Sequence, residues 1–182
     1  MRELSLNVLD IAQNSIAARA SLVTLTAEED AGADRLTLRV EDNGCGMTPE
    51  QVEKVSDPFY TTRTTRPVGM GIPLFRMAAE AAGGGLTIAS EPGKGTAVAA
   101  TFGLSHIDRL PLGDLCGTVS ALIRLNPDID FVFRHRVNGR EFTLDTRELR
   151  EILGDVRLDE PEVIAWIDAY LREQDAALEG TA

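Results

Sequence analysis

Four short segments hold residues whose types and spacing could do chemistry together. Asp10-Ile-Ala-Gln-Asn14 sets a carboxylate and a carboxamide four residues apart. On a helix that spacing puts both on one face, one turn apart. Asn14 offers a neutral carbonyl oxygen, which suits a hard cation such as Mg²⁺. Asp10 can orient or deprotonate an attacking water or a protein nucleophile. Asp42-Asn-Gly-Cys-Gly46 follows an alternating apolar run, and Met47 then leads to a helix-start signal. A carboxylate at a strand end can accept a hydrogen bond from the amino group of a base, while Gly44 and Gly46 let backbone approach the ring closely. Gly69-Met-Gly71 leads through Ile72 into a helical pattern, whose first N–H groups and dipole favour phosphate oxygens. Gly93-Lys-Gly-Thr96 lies between two alternating runs. Each segment also has a plain structural use. Asp10 and Asn14 fit solvated positions of an amphipathic helix, Asp-Asn-Gly is common turn chemistry, and Thr96 fits an ordinary strand. Neither a Walker loop nor a complete Rossmann fingerprint is present.

The elements that must position these residues can be read from periodicity. Leu4, Val8, Ile11 and Ala12 repeat at helical spacing within residues 3–20. Residues 21–27 and 35–41 alternate, and an acidic stretch between them predicts a hairpin. Thr48-Pro-Glu-Gln51 is a capping box with proline at the first helical position, which predicts a short helix to about Val55. Residues 57–71, with four threonines, read as a loop. A helix over 72–82 ends at Gly83-Gly-Gly85. Strands over 86–90 and 96–102 follow, joined by 91–95.

The pattern changes near residue 104. A helix is expected over 113–125, a hairpin over 129–144 around Asn138-Gly139, and helices over 146–153 and 160–177. Trp166 and Tyr170, one turn apart, are read as core packing on the last helix. The tail from Asp175 is expected to fray.

Bulk properties narrow the function. The chain has 182 residues and a net charge of −11, which disfavours nucleic acid as a partner. No apolar run is long enough to span a bilayer and no signal-peptide pattern opens the chain, so a cytoplasmic protein without membrane contact is expected. Cys45 and Cys116 form neither a metal-ligand nor a disulfide pattern and are read as small buried side chains.

In their order and separation the four segments resemble the N box and the three glycine boxes of the GHKL superfamily, which holds DNA gyrase, heat-shock chaperones, histidine kinases and mismatch-repair ATPases. The resemblance covers about residues 4–103. It implies an α+β fold: a two-layer sandwich in which helices cover one face of a mixed, mainly antiparallel sheet. It implies ATP and Mg²⁺ as cofactors, with Asn14 as metal ligand and Asp10 as catalytic base. Asp42, Gly44, Gly46 and Met47 would surround the adenine, with Thr96 reaching it by its hydroxyl. Gly69, Met70, Gly71 and Ile72 would hold phosphates. Asp57-Pro-Phe-Tyr-Thr-Thr-Arg63 resembles the F box of histidine kinases, in which Arg63, with Arg66 as a second candidate, would pair with a phosphate on a moving lid.

Three departures stand out. Asp10 occupies a position where the family pattern has Glu, Ala17 one where mismatch-repair enzymes have Asp, and no lysine follows Asn14. The expected division is an ATP-binding domain over 1–110 and an extension of unknown role over 111–182. The boxes begin too early for a preceding helical-hairpin domain, and His106 only faintly echoes an H box. The expectation is therefore a stand-alone histidine-kinase-like kinase or ATPase that acts with a separate protein partner or phosphoacceptor. Alternatives are a serine/threonine kinase of anti-sigma-factor type and a non-catalytic, nucleotide-gated binding module. A homodimer is also left open.

Overall fold

The structure is a computed structural model that describes residues 3–57 and 71–180. Its elements are α1 (Leu4–Ala17), β1 (Leu22–Asp30), β2 (Arg35–Asp42), α2 (Pro49–Val55), α3 (Gly71–Ala81), β3 (Gly85–Glu91), β4 (Gly95–Gly103), α4 (Leu115–Leu125), β5 (Asp130–Val137), β6 (Arg140–Asp145), α5 (Thr146–Leu153) and α6 (Pro161–Glu179). The expected turn signals act where the sequence places them. Thr48 and Gln51 form the reciprocal capping box of α2. Asn138 and Gly139 both take positive φ, as a two-residue hairpin between β5 and β6 requires.

The strands form one mixed sheet in the order β3-β4-β2-β1-β5-β6. Among the described residues only the β1–β5 pairing is parallel. Alternation decides which face is covered. Val23, Leu25 and Ala27 of β1, Leu36, Leu38 and Val40 of β2, and Val98, Ala100 and Phe102 of β4 are buried. They join one apolar cluster with Val8 and Ile11 of α1, Phe75 of α3, Val119 and Ile123 of α4, and Ile167 and Leu171 of α6. The intervening Thr24, Thr26, Arg39 and Thr101 stay partly or fully exposed. This is the expected α+β sandwich, with helices packed on one side of a mainly antiparallel sheet.

The 104–114 connection also supports the first helix. Leu4 and Ser5 donate their N–H groups to the Pro111 and Leu112 carbonyls at 2.9 and 2.8 Å. Those donors have no partner inside α1, and Glu3 supplies no side-chain cap. β5 and β6 extend the same sheet beside β1, so the cluster runs on through Phe131, Phe133 and Phe142.

Two expectations fail in α6. Trp166 is 51% exposed, so it is not a core residue; it stacks on the partly buried Tyr170 with ring centroids 5.1 Å apart. The buried stripe runs through Ile167, Leu171 and Leu178, one position further on. Nor does the chain fray from Asp175. The helix continues to Glu179, Leu178 is buried, and Asp175 Oδ1 lies 2.7 Å from His135 Nδ1.

Candidate nucleotide site

Three of the four segments converge where α1 passes the ends of β2 and β4. Asp42 is the last residue of β2 and pairs directly with Thr96 near the start of β4. Its two carboxylate oxygens have separate protein donors. Gly44 N–H donates to Oδ1 at 2.8 Å, and the Ser15 hydroxyl donates to Oδ2 at 2.6 Å. Ser15 is 2% exposed on α1, next to Asn14. Asn43 faces the other way and fastens the loop to β1. Its Oδ1 accepts from Ser21 and Leu22 N–H, and its Nδ2 donates to Ser21 Oγ.

Gly44 has no room for a side chain: an added Cβ would lie 2.7 Å from the Ala18 carbonyl oxygen. Gly46 adopts φ +69, and a Cβ there would lie 2.0 Å from the Glu91 carbonyl oxygen. Gly95 adopts φ +125, with the Asp42 carbonyl oxygen 1.9 Å from a hypothetical Cβ. These two residues allow the 42–47 loop and the β3–β4 hairpin to touch backbone to backbone. Further bonds close the contact. Met47 N–H donates to Ser90 Oγ, Gly93 N–H to the Cys45 carbonyl, and the Ser90 and Thr96 hydroxyls lie 2.8 Å apart.

The fourth segment approaches from α3. A Cβ on Gly71 would lie 3.4 Å from Asp10 Cβ and 4.0 Å from Asn14 Nδ2. The bare start of α3 therefore lies against the carboxylate–carboxamide pair. The Ile72 side chain is in the core, so its contribution at this helix start is its backbone N–H. Burial pushes the Asp10 carboxyl above its ordinary range, the direction a proton-accepting carboxylate needs. Arg63, Arg66, Gly69 and Met70 lie outside the described residues.

One surface hollow, about 470 Å³, is bordered by Glu28, Glu29, Asp30, Arg136 and Glu141 at the far end of β1. A smaller one, about 350 Å³, is bordered by Glu41, Asp42, Ser90, Glu91, Lys94 and Thr96, and so lies at the end of β2 where three of the four segments meet. Among the described residues no group of three or more His, Cys, Asp or Glu side chains could hold a metal ion. Mg²⁺ would therefore need Asn14 together with oxygens from the bound nucleotide. Of the cysteines, Cys116 is buried as expected, but Cys45 is exposed in the glycine loop.

Sequence reasoning missed Ser15, Asn43 and Ser90. One signal was available for Ser15: a hydroxyl on the apolar side of α1 must find a partner once buried.

This fold and loop arrangement define a GHKL ATP-binding domain that resembles the catalytic domains of histidine kinases. Residues 1–106, more than half of the chain, match the family described as Histidine kinase-, DNA gyrase B-, and HSP90-like ATPase, and the chain belongs to that family. It is 39% identical over 105 residues to Sensor protein kinase FleS of Pseudomonas aeruginosa, a match covering 58% of this chain and 25% of that protein. It is 33% identical over 89 residues to Sensor histidine kinase ZraS of Salmonella typhi, covering 48% of this chain and 19% of the relative. The matches thus span about a fifth to a quarter of these curated relatives. The solved N-terminal domain of a DNA repair protein has the same fold, with a TM-score of 0.58 at 16% identity, over 80% of this chain and 53% of that one. No helix among the described residues is long and apolar enough to cross a membrane.

Proposed function

We propose that the chain binds ATP with Mg²⁺ and serves as the nucleotide-handling part of a histidine-kinase-type phosphotransfer system, with an acceptor outside these 182 residues. Asp42 receives the adenine amino group, and Thr96 supports the same end of the base. The start of α3 at Gly71 faces the phosphates. Asn14 would hold Mg²⁺, which neutralises phosphate charge when bound, and Asp10 positions or accepts the proton of the attacking group. Asp10, Asn14 and Gly71 fit this use because a bare helix start meets an oxygen-bearing pair. Residues 1–110 carry this site, and 111–182 support it through the shared sheet and the capping of α1.

One observation carries the external acceptor. Both histidines of the chain lie toward the opposite end of the sheet from Asp42. His106 is exposed in the turn after β4, and Thr96 is seven residues from Gly103, the end of that strand, or about 23 Å at strand rise. His135 is buried in β5 opposite Ala27, whereas Asp42 pairs with Val23. Both histidines thus lie away from Asp42, which supports an acceptor outside these residues. A signalling role and a cytoplasmic setting follow from this reading.

The test is incubation of the full chain with γ-labelled ATP, alone and with copurifying proteins, followed by mass spectrometry. The expected result is label on a partner and none on His106 or His135. Label on either histidine would refute the external acceptor. Label on a partner serine or threonine would instead support the anti-sigma-factor-type reading. Bound nucleotide that never turns over would support a nucleotide-gated binding module.

A further inference from the structure

We propose that Ser15 is a positioning residue that sets the adenine preference of this site by locking the Asp42 carboxylate. The proposal rests on the assignment of Asp42 to the adenine amino group. Asp42 and Ser15 are 27 residues apart in sequence, yet their side chains are 2.6 Å apart. A serine hydroxyl has a single proton, and here it is committed to Oδ2. Gly44 N–H holds the other oxygen. With a donor on each oxygen the carboxylate cannot rotate without breaking one bond. Each oxygen still has acceptor capacity left for a ligand.

The placement of Ser15 strengthens the argument. It follows Asn14 on α1, so the helix that supplies the carboxamide also fixes the carboxylate for the base. The bond spans α1 and the end of β2, and Cys45 N–H to the Ala18 carbonyl ties the same two elements together at 3.0 Å. Without Ser15, Oδ2 would lose its buried donor and the carboxylate would be free to turn. An amino group needs an acceptor held in one direction, whereas a base lacking that group makes no such demand. Ser15 therefore acts on base selection and leaves phosphate binding alone.

The experiment measures calorimetric affinities of the full chain for ADP and for purine riboside 5′-diphosphate, which lacks the 6-amino group. Ser15→Ala should weaken ADP about tenfold, within the range of one charge-assisted hydrogen bond, and change the other nucleotide less than about twofold. Ser15→Cys keeps the side-chain volume while giving up the strong donor, and it should behave the same way if alanine impairs folding. Ser15→Thr keeps the hydroxyl and should keep the adenine preference. In an Asp42→Asn background, Ser15→Ala should have no further effect. Equal losses for both nucleotides would reduce Ser15 to a structural residue and overturn the proposal. It would also fall if Ser15→Ala and Ser15→Cys leave ADP affinity unchanged while Asp42→Asn lowers it. If Asp42→Asn itself leaves ADP affinity unchanged, the adenine assignment fails, and the role of Ser15 fails with it.

Discussion

Asp10 has one methylene less than the Glu of the family pattern, so its carboxylate starts further from a water at the γ-phosphate. Hydrolysis by the isolated chain should accordingly be slow, below about 1 s⁻¹, the low end of common turnover numbers. Asp10→Glu should raise that rate if reach limits it. Asp10→Asn should lower it by about a hundredfold, the smaller effect typical of losing a positioned base. Steady-state phosphate release measures both, and two unchanged rates would remove Asp10 from the chemistry. Asn14→Ala should weaken ATP binding in the presence of Mg²⁺ and leave ADP binding in EDTA nearly unaltered. Equal losses under the two conditions would indicate misfolding instead of a lost metal ligand. That Asp10 and Asn14 share one helix face was legible in the sequence because their relation is local: four residues on one helix. The long-range partner of Asp42 was not. Ser15 is 27 residues away from it, and Met47 meets Ser90 across 43 residues. Such contacts are created by strand register, which no local pattern encodes.

Elements built on local signals came out as the sequence implied. Capping residues, Asn138-Gly139 and alternating strands decide their own conformation over a few residues. Thr48→Ala should therefore cost about 1 kcal/mol, the usual worth of an N-cap, in urea-melt stability. What local signals do not contain is which neighbour an element selects. The parallel pairing of β5 with β1 and the outward turn of Trp166 both depend on it. On α6 the Ile167–Leu171–Leu178 stripe and the Trp166–Tyr170 pair differ by one position, about 100° around the axis. Periodicity alone does not choose between two adjacent apolar stripes. The β3–β4 hairpin is likewise held to the 42–47 loop by tertiary fit. Gly95→Ala would place a Cβ against the Asp42 carbonyl at a positive φ, so the backbone must move. A loss of about 2 kcal/mol or more is expected, together with weakened ADP binding, because Asp42 moves too. Full stability in the alanine variant would show that this contact does not hold the loop.

Across the whole molecule the sheet has two differently used ends. The Asp42 end carries the proposed nucleotide site, and the far end carries a partly buried tie between β5 and the last helix. His135 of β5 is almost fully buried. Its Nδ1 is 2.7 Å from Asp175 of α6, while its Nε2 is 3.8 Å from Glu29 of β1, a distance at which charge attracts but no hydrogen bond forms. Arg109 also acts on Glu29, and Cys116 of α4 feels the Asp175 charge. Burial disfavours the imidazolium, but the two carboxylates outweigh it and raise the His135 pKa above its ordinary 6.5. Glu29 is held below its ordinary 4.5, chiefly by the neighbouring imidazole. The signs then fix the pH window. A raised histidine contributes its stability fully below the unfolded value of 6.5 and loses it as pH climbs through the folded value. A depressed carboxylate contributes above 4.5 and loses its share as pH falls through its own folded value. Thermal stability should therefore be greatest between these two limits and decline on the alkaline side of 6.5. Asp175→Asn removes one of the charges that sustain the imidazolium, so the alkaline decline should be smaller and end at lower pH. Melting temperatures from pH 4 to 9, with the His135 ring followed by NMR, test both statements. An alkaline limb identical in wild type and Asp175→Asn would mean that the His135–Asp175 bond does not fasten α6 to the sheet. ADP affinity should change little in this variant, because the tie acts at the end of the sheet away from Asp42.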